Sequence, residues 1–184
     1  MNKYLRAIYC IPCGILKMAT LKLIHRNSFK GPFVSIVSPL TEITLDKGGK
    51  LTIGENFKMR DGAKIRVRMG AVCKIGKNTS INCNNMIACH DRIMIGNNVM
   101  LSPNVQIYDH DHDFRVKDGV KAGKFKTTAV KIGNNVWIGA NTVILRGTEL
   151  GDNCVVGAGC VIKGKYDVGS VIIQKRNEKT RELL

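Results

Sequence analysis

Residues 132–162 decide the fold, and they read IGNNVWIGANTVILRGTELGDNCVVGAGCVI. Aliphatic residues recur in this stretch with a period of six, at Ile132, Ile138, Ile144, Leu150, Val156 and Ile162. Small or β-branched residues stand four positions after the first five of them, at Val136, Thr142, Thr148, Cys154 and Cys160. Neither the helical period of 3.6 residues nor the strand period of two produces this phase. We therefore predict a three-sided prism, in which three six-residue units make one coil and strands of successive coils pair in parallel.

A tetrad Ile-Gly-x-Asn marks corners of this prism. It begins at Ile53, Ile75, Ile95 and Ile132, and a Leu-Gly-Asp-Asn variant begins at Leu150. We expect both Gly and Asn to adopt turn conformations there, often with φ > 0, which β-branched residues resist. The alternative is a β-sandwich, which would show alternating strands with a turn about every 8–12 residues. The uninterrupted six-residue period disfavours it.

The six-residue pattern stops between Ile107 and Val130, where the chain reads YDHDHDFRVKDGVKAGKFKTTA. Because long loops in compact folds are commonly functional, we predict a protruding loop with a functional role over this segment, 108–129. The predicted organisation is an N-terminal amphipathic helical segment at 1–30, a prism that includes the loop at 31–173, and a C-terminal tail at 174–184.

The N-terminal segment 3–26 reads KYLRAIYCIPCGILKMATLKLIHR. Helical spacing gives it an apolar stripe flanked by basic residues, and the stripe consists of Leu5, Ile8, Pro12, Ile15, Ala19 and Leu23. Pro12 and Gly14 would kink the helix or divide it in two. Two interpretations stay open: a peripheral contact with an anionic membrane, or a helix that packs on the prism and buries the same stripe.

Composition limits the possible partners. The 184-residue chain suffices for one domain, and its net charge of +15 predicts attraction to an anionic ligand or surface. The basic residues are spread along the chain without a nucleic-acid-binding motif, so no nucleic-acid partner is expected. Seven Cys, an odd number, favour reduced thiols and a cytoplasmic protein, peripheral at the inner face of the membrane if 3–26 binds lipid. No apolar run reaches the ~20 residues that span a bilayer.

The segments IGNNVWIGANTVI and GDNCVVGAGCVI, with Ile95–Ile107, resemble the hexapeptide-repeat acyltransferases. The similarity is greatest to the branch that contains galactoside and maltose O-acetyltransferases and exopolysaccharide acetyltransferases, and it covers about residues 40–173. The resemblance implies an all-β fold, a left-handed parallel β-helix. It also implies a homotrimer with active sites between neighbouring prisms, and acetyl-CoA as cosubstrate with no metal required.

The family's catalytic His lies in the loop after a coil that ends in Asn-Val-x-Ile. Counting from Asn104 without a gap places it on His112, with the implied role of general base toward an acceptor hydroxyl. Imidazole suits this role because its pKa lies near the working pH. His110, two residues away, is the rival. The DHDHD string also contains metal-competent ligands, but alternating residues of a strand face opposite sides and cannot all converge.

The remaining site residues also follow from the resemblance. On the CoA side, it implies a backbone N–H of Ala140 for the oxyanion, the Ala158 N–H for the pantetheine arm, Lys163 and Lys165 for phosphates, and Trp137 in the family's NNVWIG. Lys163 and Lys165 depart from the family's usual Thr-Lys pair, and the usual Gly-x-Pro-Ala-Lys is absent from 170–184.

On the acceptor side we expect Asn82, His90, Asp109 and His110. Asn82 matches the family's acceptor-site Asn, whereas His90 stands where galactoside acetyltransferases have an acceptor-contacting Asp. That difference argues against a simple galactoside or maltose acceptor.

The predicted function is therefore transfer of acetyl from acetyl-CoA to a saccharide hydroxyl, in capsule or exopolysaccharide biosynthesis. Three alternatives stay open. The first is N-acetylation of an amino sugar or nucleotide-sugar, which also needs a base. The second is a β-helix scaffold without catalysis, which the protruding loop disfavours. The third is a zinc prism, which needs three well-placed His, and the sequence offers only His25, His90, His110 and His112.

Overall fold

The computed structural model describes residues 3–175, with side chains from residue 8 onward. Three parallel sheets form the sides of a prism, and successive coils add one strand to each side. The predicted fold class, a parallel β-helix, is confirmed. We call the sides faces A, B and C in the order in which the chain passes through them.

The strands of the three faces are short. Face A contains Phe29–Lys30, Lys50–Ile53, Val72–Ile75, Arg92–Ile95, Val130–Ile132, Glu149–Leu150 and Lys165–Tyr166. Face B contains Ile36–Val37, Lys58–Met59, Ser80–Ile81, Met100–Leu101, Trp137–Ile138, Val155–Val156 and Val171–Ile172. Face C contains Glu42–Leu45, Lys64–Val67, Met86–Cys89, Gln106–Tyr108, Val143–Ile144 and Val161–Ile162.

The aliphatic residues of the repeat form columns inside the prism. Ile53 pairs in register with Ile75, Ile75 with Ile95, and Ile95 with Ile132. All four side chains are buried, as are their equivalents on the other two faces. Because burial of one such side chain contributes about 1.5–3 kcal/mol, these columns are the main source of stability.

The Asn of each tetrad occupies a corner in the left-handed backbone region, as predicted. The φ angles are 54° for Asn56, 57° for Asn78, 56° for Asn98 and Asn135, and 59° for Asn153. Their side-chain amides form a ladder up the corner, with Nδ2 to Oδ1 distances of 2.8–3.2 Å. Each side chain therefore hydrogen-bonds the equivalent Asn one coil away and fixes the register of the coils.

The prediction was wrong about the Gly of the tetrad. Gly54, Gly76, Gly96, Gly133 and Gly151 are not among the residues with positive φ. The requirement is close approach between coils instead: a Cβ on Gly96 would lie 2.5 Å from the Gly133 carbonyl oxygen, and one on Gly151 would lie 2.6 Å from the Val168 nitrogen. Any side chain at these positions would push neighbouring coils apart.

The interruption of the repeat is an ordered excursion from the prism. Tyr108 still belongs to face C, so the excursion begins one residue later than the predicted loop 108–129. Strands His110–His112 and Phe125–Thr127 pair antiparallel as a hairpin, and a 3₁₀ helix, Gly119–Ala122, lies toward its tip. The segment thus carries its own secondary structure.

A single helix, α1 (Lys3–Ile24), precedes the prism. Pro12 lies inside it, so the predicted division in two does not occur. The chain then enters face A at Phe29–Lys30, within the segment 1–30 that the sequence had indicated as helical. In the part of the chain that the structure describes, no helix is long and apolar enough to cross a membrane.

Helix α1 packs on the prism with a side that the sequence did not indicate. Cys10, Met18 and Leu21 are buried, and a Cβ at Gly14 would collide with the Ser35 carbonyl oxygen, so helix and prism approach closely there. The predicted stripe faces outward instead, because Ile8, Pro12, Ile15 and Leu23 are exposed. The side chain of Leu5 lies outside the described part. The interpretation that the prism buries that stripe is therefore wrong.

The C-terminal tail predicted at 174–184 falls outside the described residues from position 176 onward. Its first residue, Gln174, extends the edge of face C through its side chain. The Gln174 amide accepts a hydrogen bond from the Val161 N–H at 2.8 Å and donates one to the Val161 carbonyl at 2.6 Å.

Candidate functional site

Two corners of the prism hold most of the predicted site residues. The hairpin corner, between faces C and A, consists of 90–91, 109–129, 145–148 and 163–164. The B–C corner, between faces B and C, consists of 82–85, 102–105, 139–142 and 157–160. Face C separates the two corners along the whole length of the prism.

Asp109 lies at the base of the hairpin with its carboxylate fully buried. Its Oδ1 and Oδ2 accept hydrogen bonds from the backbone N–H groups of His90 and Asp91, both at 2.8 Å. The Nδ1 atom of His110 lies 3.1 Å from Oδ1. Because a buried carboxylate needs such partners, Asp109 fastens the hairpin to the preceding coil. Burial leaves it no surface for an acceptor, although the sequence had placed it on the acceptor side.

Three imidazoles surround Phe125 above this base. The His90 and His110 rings stack with centroids 3.6 Å apart. The Phe125 ring lies 4.3 Å from His90, 5.3 Å from His110 and 4.7 Å from His112. His110 and His112 reach the same aromatic ring because residues two apart in a strand share a face. Burial, aided by the nearby His110, lowers the pKa of His90, so its imidazole is neutral at pH 7.

His112 differs from the other two imidazoles in its access to solvent. It is exposed, and it stands opposite Phe125 in the hairpin register. His110 retains only 12% of its side-chain exposure. Beside His112 is a cleft of about 130 Å³ whose lining includes Phe114, Lys126 and Arg146. His112 is therefore the hairpin imidazole that an incoming hydroxyl could reach most directly.

The acidic residues around this cleft are paired with cations. Asp111 forms an ion pair with Arg146, and Lys126 Nζ lies 3.1 Å from Asp113 Oδ1. Desolvation opposes ionisation of Asp113, but hydrogen bonds from Lys126 and the Arg115 N–H outweigh it and lower the pKa of Asp113. Among the residues with described side chains, no three His, Cys, Asp or Glu converge as a metal site would require.

The B–C corner carries backbone N–H groups and an amide. The N–H groups of Ala140 and Ala158 donate no hydrogen bond within the described residues, which is a requirement for the ligand contacts that the sequence predicts. Gly159 N–H donates to the Ala140 carbonyl at 2.7 Å, which holds the two turns in register. Asn82 shapes the same corner two coils earlier: its Oδ1 accepts the Cys83 N–H at 2.9 Å.

Trp137 lies on face B just before this corner. Its indole is half exposed, and Nε1 donates to Ser102 Oγ at 3.0 Å. The ring is thus held in place by one hydrogen bond while one side stays open to solvent.

The two predicted CoA lysines lie away from Ala158. Lys163 and Lys165 follow face C, on the edge that also carries the hairpin, and both are exposed. Lys165 shares Glu149 with Lys131, at 3.5 Å and 3.1 Å, so its charge is partly matched. A ligand that contacts both the Ala158 N–H and these lysines would have to cross face C or lie between two prisms.

A single chain therefore does not assemble the predicted site. His90, Asp109, His110 and His112 meet at the hairpin corner, whereas Asn82, Ala140 and Ala158 line the B–C corner. Sequence reasoning missed Phe125, Lys126 and Arg146. Phe125 is one of only two aromatic residues between 109 and 129, and Arg146 replaces the Gly or Ala found at several other corners. These two features of the sequence could have identified Phe125 and Arg146.

The chain is similar to known transferases along most of its length. Residues 129–164 match the bacterial transferase hexapeptide family, described as six repeats. WbbJ of Escherichia coli K12, named for lipopolysaccharide biosynthesis O-acetyl transfer, is 30% identical over 148 residues, which cover 72% of this chain and 76% of WbbJ. The galactoside O-acetyltransferase of the same organism is 48% identical over 42 residues, which cover 23% of this chain and 21% of that enzyme.

Solved structures share the fold. AntD, an N-acyltransferase from Bacillus cereus in complex with dTDP and 3-hydroxybutyryl-CoA, superposes with a TM-score of 0.64 at 20% identity, covering 83% of this chain and 81% of AntD. The hexapeptide-repeat acetyltransferase VCA0836 of Vibrio cholerae gives a TM-score of 0.53 at 20% identity, covering 85% of this chain and 82% of that one.

Proposed function

Because this chain belongs to the bacterial hexapeptide-repeat transferase family, we propose that it transfers acetyl from acetyl-CoA to a saccharide hydroxyl, with His112 as general base. Family membership supports the acetyltransferase class expected from the sequence, and the structurally similar AntD is in complex with 3-hydroxybutyryl-CoA, which supports CoA as the acyl carrier here. The observation that carries the proposed role of His112 is its position: a solvent-exposed imidazole on a hairpin whose base is fastened by the buried Asp109.

The proposed reaction is direct transfer. The His112 imidazole takes the proton of the acceptor hydroxyl while the oxygen attacks the thioester carbonyl carbon. A backbone N–H, that of Ala140, donates a hydrogen bond to the oxyanion that develops. The carbon–sulfur bond then breaks, and the leaving thiolate takes the proton back from the imidazolium. The products are the acetyl ester and CoA, and His112 returns to its neutral form.

The site is proposed to lie between subunits of a homotrimer. Within one prism, face C lies between His112 and Ala140, so one chain alone cannot present both to the same carbonyl group. A neighbouring prism could place its B–C corner against the hairpin corner. The pantetheine arm would then pass the Ala158 N–H and Trp137, while Lys163 and Lys165 supply positive charge for the phosphates.

The proposed acceptor is a saccharide of a surface polysaccharide. WbbJ, the relative that covers most of the chain, is named for lipopolysaccharide biosynthesis. His90 and His110 form the wall beside His112 and would contact the acceptor, together with Asn82 of the adjoining subunit. An Asp carboxylate accepts hydrogen bonds through two charged oxygens. A neutral, stacked His90 cannot replace it in that role. We therefore propose a sugar other than a simple galactoside or maltose.

The proposed location is a reducing compartment, the cytoplasm. All seven Cys are free thiols, and five of them are buried inside the prism or under α1. An oxidising compartment stabilises proteins through disulfides. This fold uses its Cys as small interior residues instead, so it gains no stability from such a compartment.

The role of His112 is tested by comparing His112→Ala with His110→Ala in assays of CoA thiol release. Loss of a general base lowers turnover by about 10²–10⁴-fold, and we expect this for His112→Ala with unchanged CoA affinity and assembly. His110→Ala should retain more activity because His110 is turned toward Asp109.

Acceptors should include neutral sugars, amino sugars and lipid-linked oligosaccharides. Near-normal turnover by His112→Ala would contradict the proposed role. If only amines were acetylated, the proposed hydroxyl acceptor would be wrong.

A further inference from the structure

Helix α1 is apolar on two opposite sides. One side, with Cys10, Gly14, Met18 and Leu21, packs on the prism. The other side points to solvent and consists of Ile8, Tyr9, Pro12, Ile15, Leu16 and Leu23. A surface helix of a protein in water normally carries polar residues on its outward side. Packing on the prism therefore leaves the outward apolar side of α1 without a partner among the residues whose side chains the structure describes.

The outward side is strongly exposed, and further exposed apolar residues lie near α1. Leu16 is 69% exposed and Leu23 is 71% exposed. The loop after the first strand of face A adds Phe33 and Val34, at 60% and 62%. It is connected to α1 by Lys22, whose Nζ lies 3.4 Å from the centroid of the Phe33 ring. A concentration of exposed apolar residues of this kind commonly marks an interaction site.

The segment of the chain that carries this patch is basic. The first 41 residues of the chain contain six Lys or Arg and no Asp or Glu. Arg26, just after α1, and Lys30, in the first strand of face A, are exposed, and Lys22 borders the patch. Lys17 is different, because its Nζ turns to the prism and contacts the Ser38 carbonyl at 3.2 Å and Thr41 Oγ1 at 2.6 Å. Its burial also lowers the pKa of Lys17.

We propose that the outward side of α1, with Phe33 and Val34, binds the surface of an anionic phospholipid bilayer, with α1 lying in the plane of the interface. An apolar helical side bordered by Lys and Arg is the arrangement that inserts between headgroups while its cations meet lipid phosphates. A second copy of the chain fits less well, because it would bring two basic segments together in a chain of net charge +15.

Membrane binding would deepen the proposed function, because it bears on the form of the acceptor. This part of the inference rests on the proposed acetyl transfer to a saccharide. A transferase held at the bilayer would meet a saccharide that is attached to a lipid carrier more often than one in solution. The lipid contact itself needs no catalysis, so its test can succeed or fail independently of acetyl transfer.

The test is sedimentation of the full-length protein with vesicles of phosphatidylcholine, alone or mixed with phosphatidylglycerol. We expect binding to the anionic vesicles, weakened by added salt, and little binding to phosphatidylcholine alone. The double variant Leu16→Gln/Leu23→Gln should lower the partition coefficient by about tenfold or more, because each change removes buried apolar surface. Val168→Gln is the matched control: Val168 is 69% exposed but lies in the last coil of the prism.

Three results would overturn the proposal. The first is an absence of binding to anionic vesicles, and the second is equal loss of binding in the Val168→Gln control. The third is a change of oligomeric state, rather than of vesicle binding, in the double variant, which would make this surface a subunit contact. Acetyl transfer to a water-soluble acceptor should stay unchanged in the double variant, and vesicle binding should stay unchanged in His112→Ala. These two readouts separate failure of the lipid contact from failure of the proposed reaction.

Discussion

At the scale of single residues, Asp109 links the hairpin to the rest of the molecule. Its buried carboxylate accepts the His90 and Asp91 N–H groups and contacts His110. Counting along the sequence predicted the general base at His112, and that stays a prediction; it could not show that Asp109 is buried or that Phe125 lies against three imidazoles. Those facts depend on the pairing register of a segment that has no repeat.

Replacing Asp109 by Asn should weaken the fold. The change removes the charge from a buried acceptor of two backbone N–H groups, and we expect the free energy of unfolding to fall by about 2 kcal/mol in urea titrations. Asp111→Asn is the matched control, because Asp111 is half exposed and pairs with Arg146 at the surface, where loss costs about 1 kcal/mol or less. Equal effects of the two changes would show that Asp109 does not fasten the hairpin.

His90 should make the fold sensitive to mild acid. Burial, with the neighbouring His110, lowers its pKa below the ordinary 6.5, so the unfolded chain binds this proton more readily than the folded one. The free energy of unfolding then falls as pH falls through the window between the ordinary and the lowered pKa. His90→Gln should therefore show a smaller drop in Tm between about pH 7.5 and about pH 5.5. An identical drop in both proteins would mean that His90 does not titrate in this window.

At the scale of elements, the repeat predicted the three sheets and the Asn corners because both follow from local spacing. The repeat did not reveal the reason why Gly is required, because the distance between neighbouring coils cannot be read from a single repeat. The same limit applies to α1. Helical spacing indicated one apolar stripe, but a different side of α1 packs on the prism. On that side Gly14 allows close approach to the Ser35 backbone.

The two uses of Gly can be separated by substitution. Gly96→Ala would place a Cβ 2.5 Å from the Gly133 carbonyl oxygen and force neighbouring coils apart, so we expect a loss of about 3 kcal/mol. Gly70→Ala meets no atom within 4 Å and carries only the strain of φ 71°, which costs about 1–2 kcal/mol. Urea unfolding of both variants measures the difference. A larger loss for Gly70→Ala would refute the role of coil spacing.

At the scale of the whole molecule, the fold divides the residues of the proposed site between two edges. The hairpin corner supplies imidazoles, the B–C corner supplies backbone N–H groups, and face C keeps them apart within one chain. The sequence predicted the residues of both corners through the family resemblance. The separation of the corners became visible only from the order of strands around the prism, and it is the reason to expect a shared site between subunits.

The most direct measurement is complementation between two inactive variants. Ala140→Pro removes the N–H proposed for the oxyanion, and His112→Ala removes the base. Subunits of both, unfolded and reassembled together, should regain activity in sites that combine the intact His112 of one subunit with the intact Ala140 of its neighbour. Random mixing in a three-fold assembly makes about one quarter of the sites complete, so we expect about one quarter of wild-type turnover.

Assembly of each variant alone is the necessary control, and Asn82→Ala replaces Ala140→Pro if the latter does not assemble. Recovery of acetyl transfer in the mixture, against near-zero turnover in each parent, is the result that we predict. Mixed assemblies that form normally yet remain as inactive as their parents would contradict a site shared between prisms.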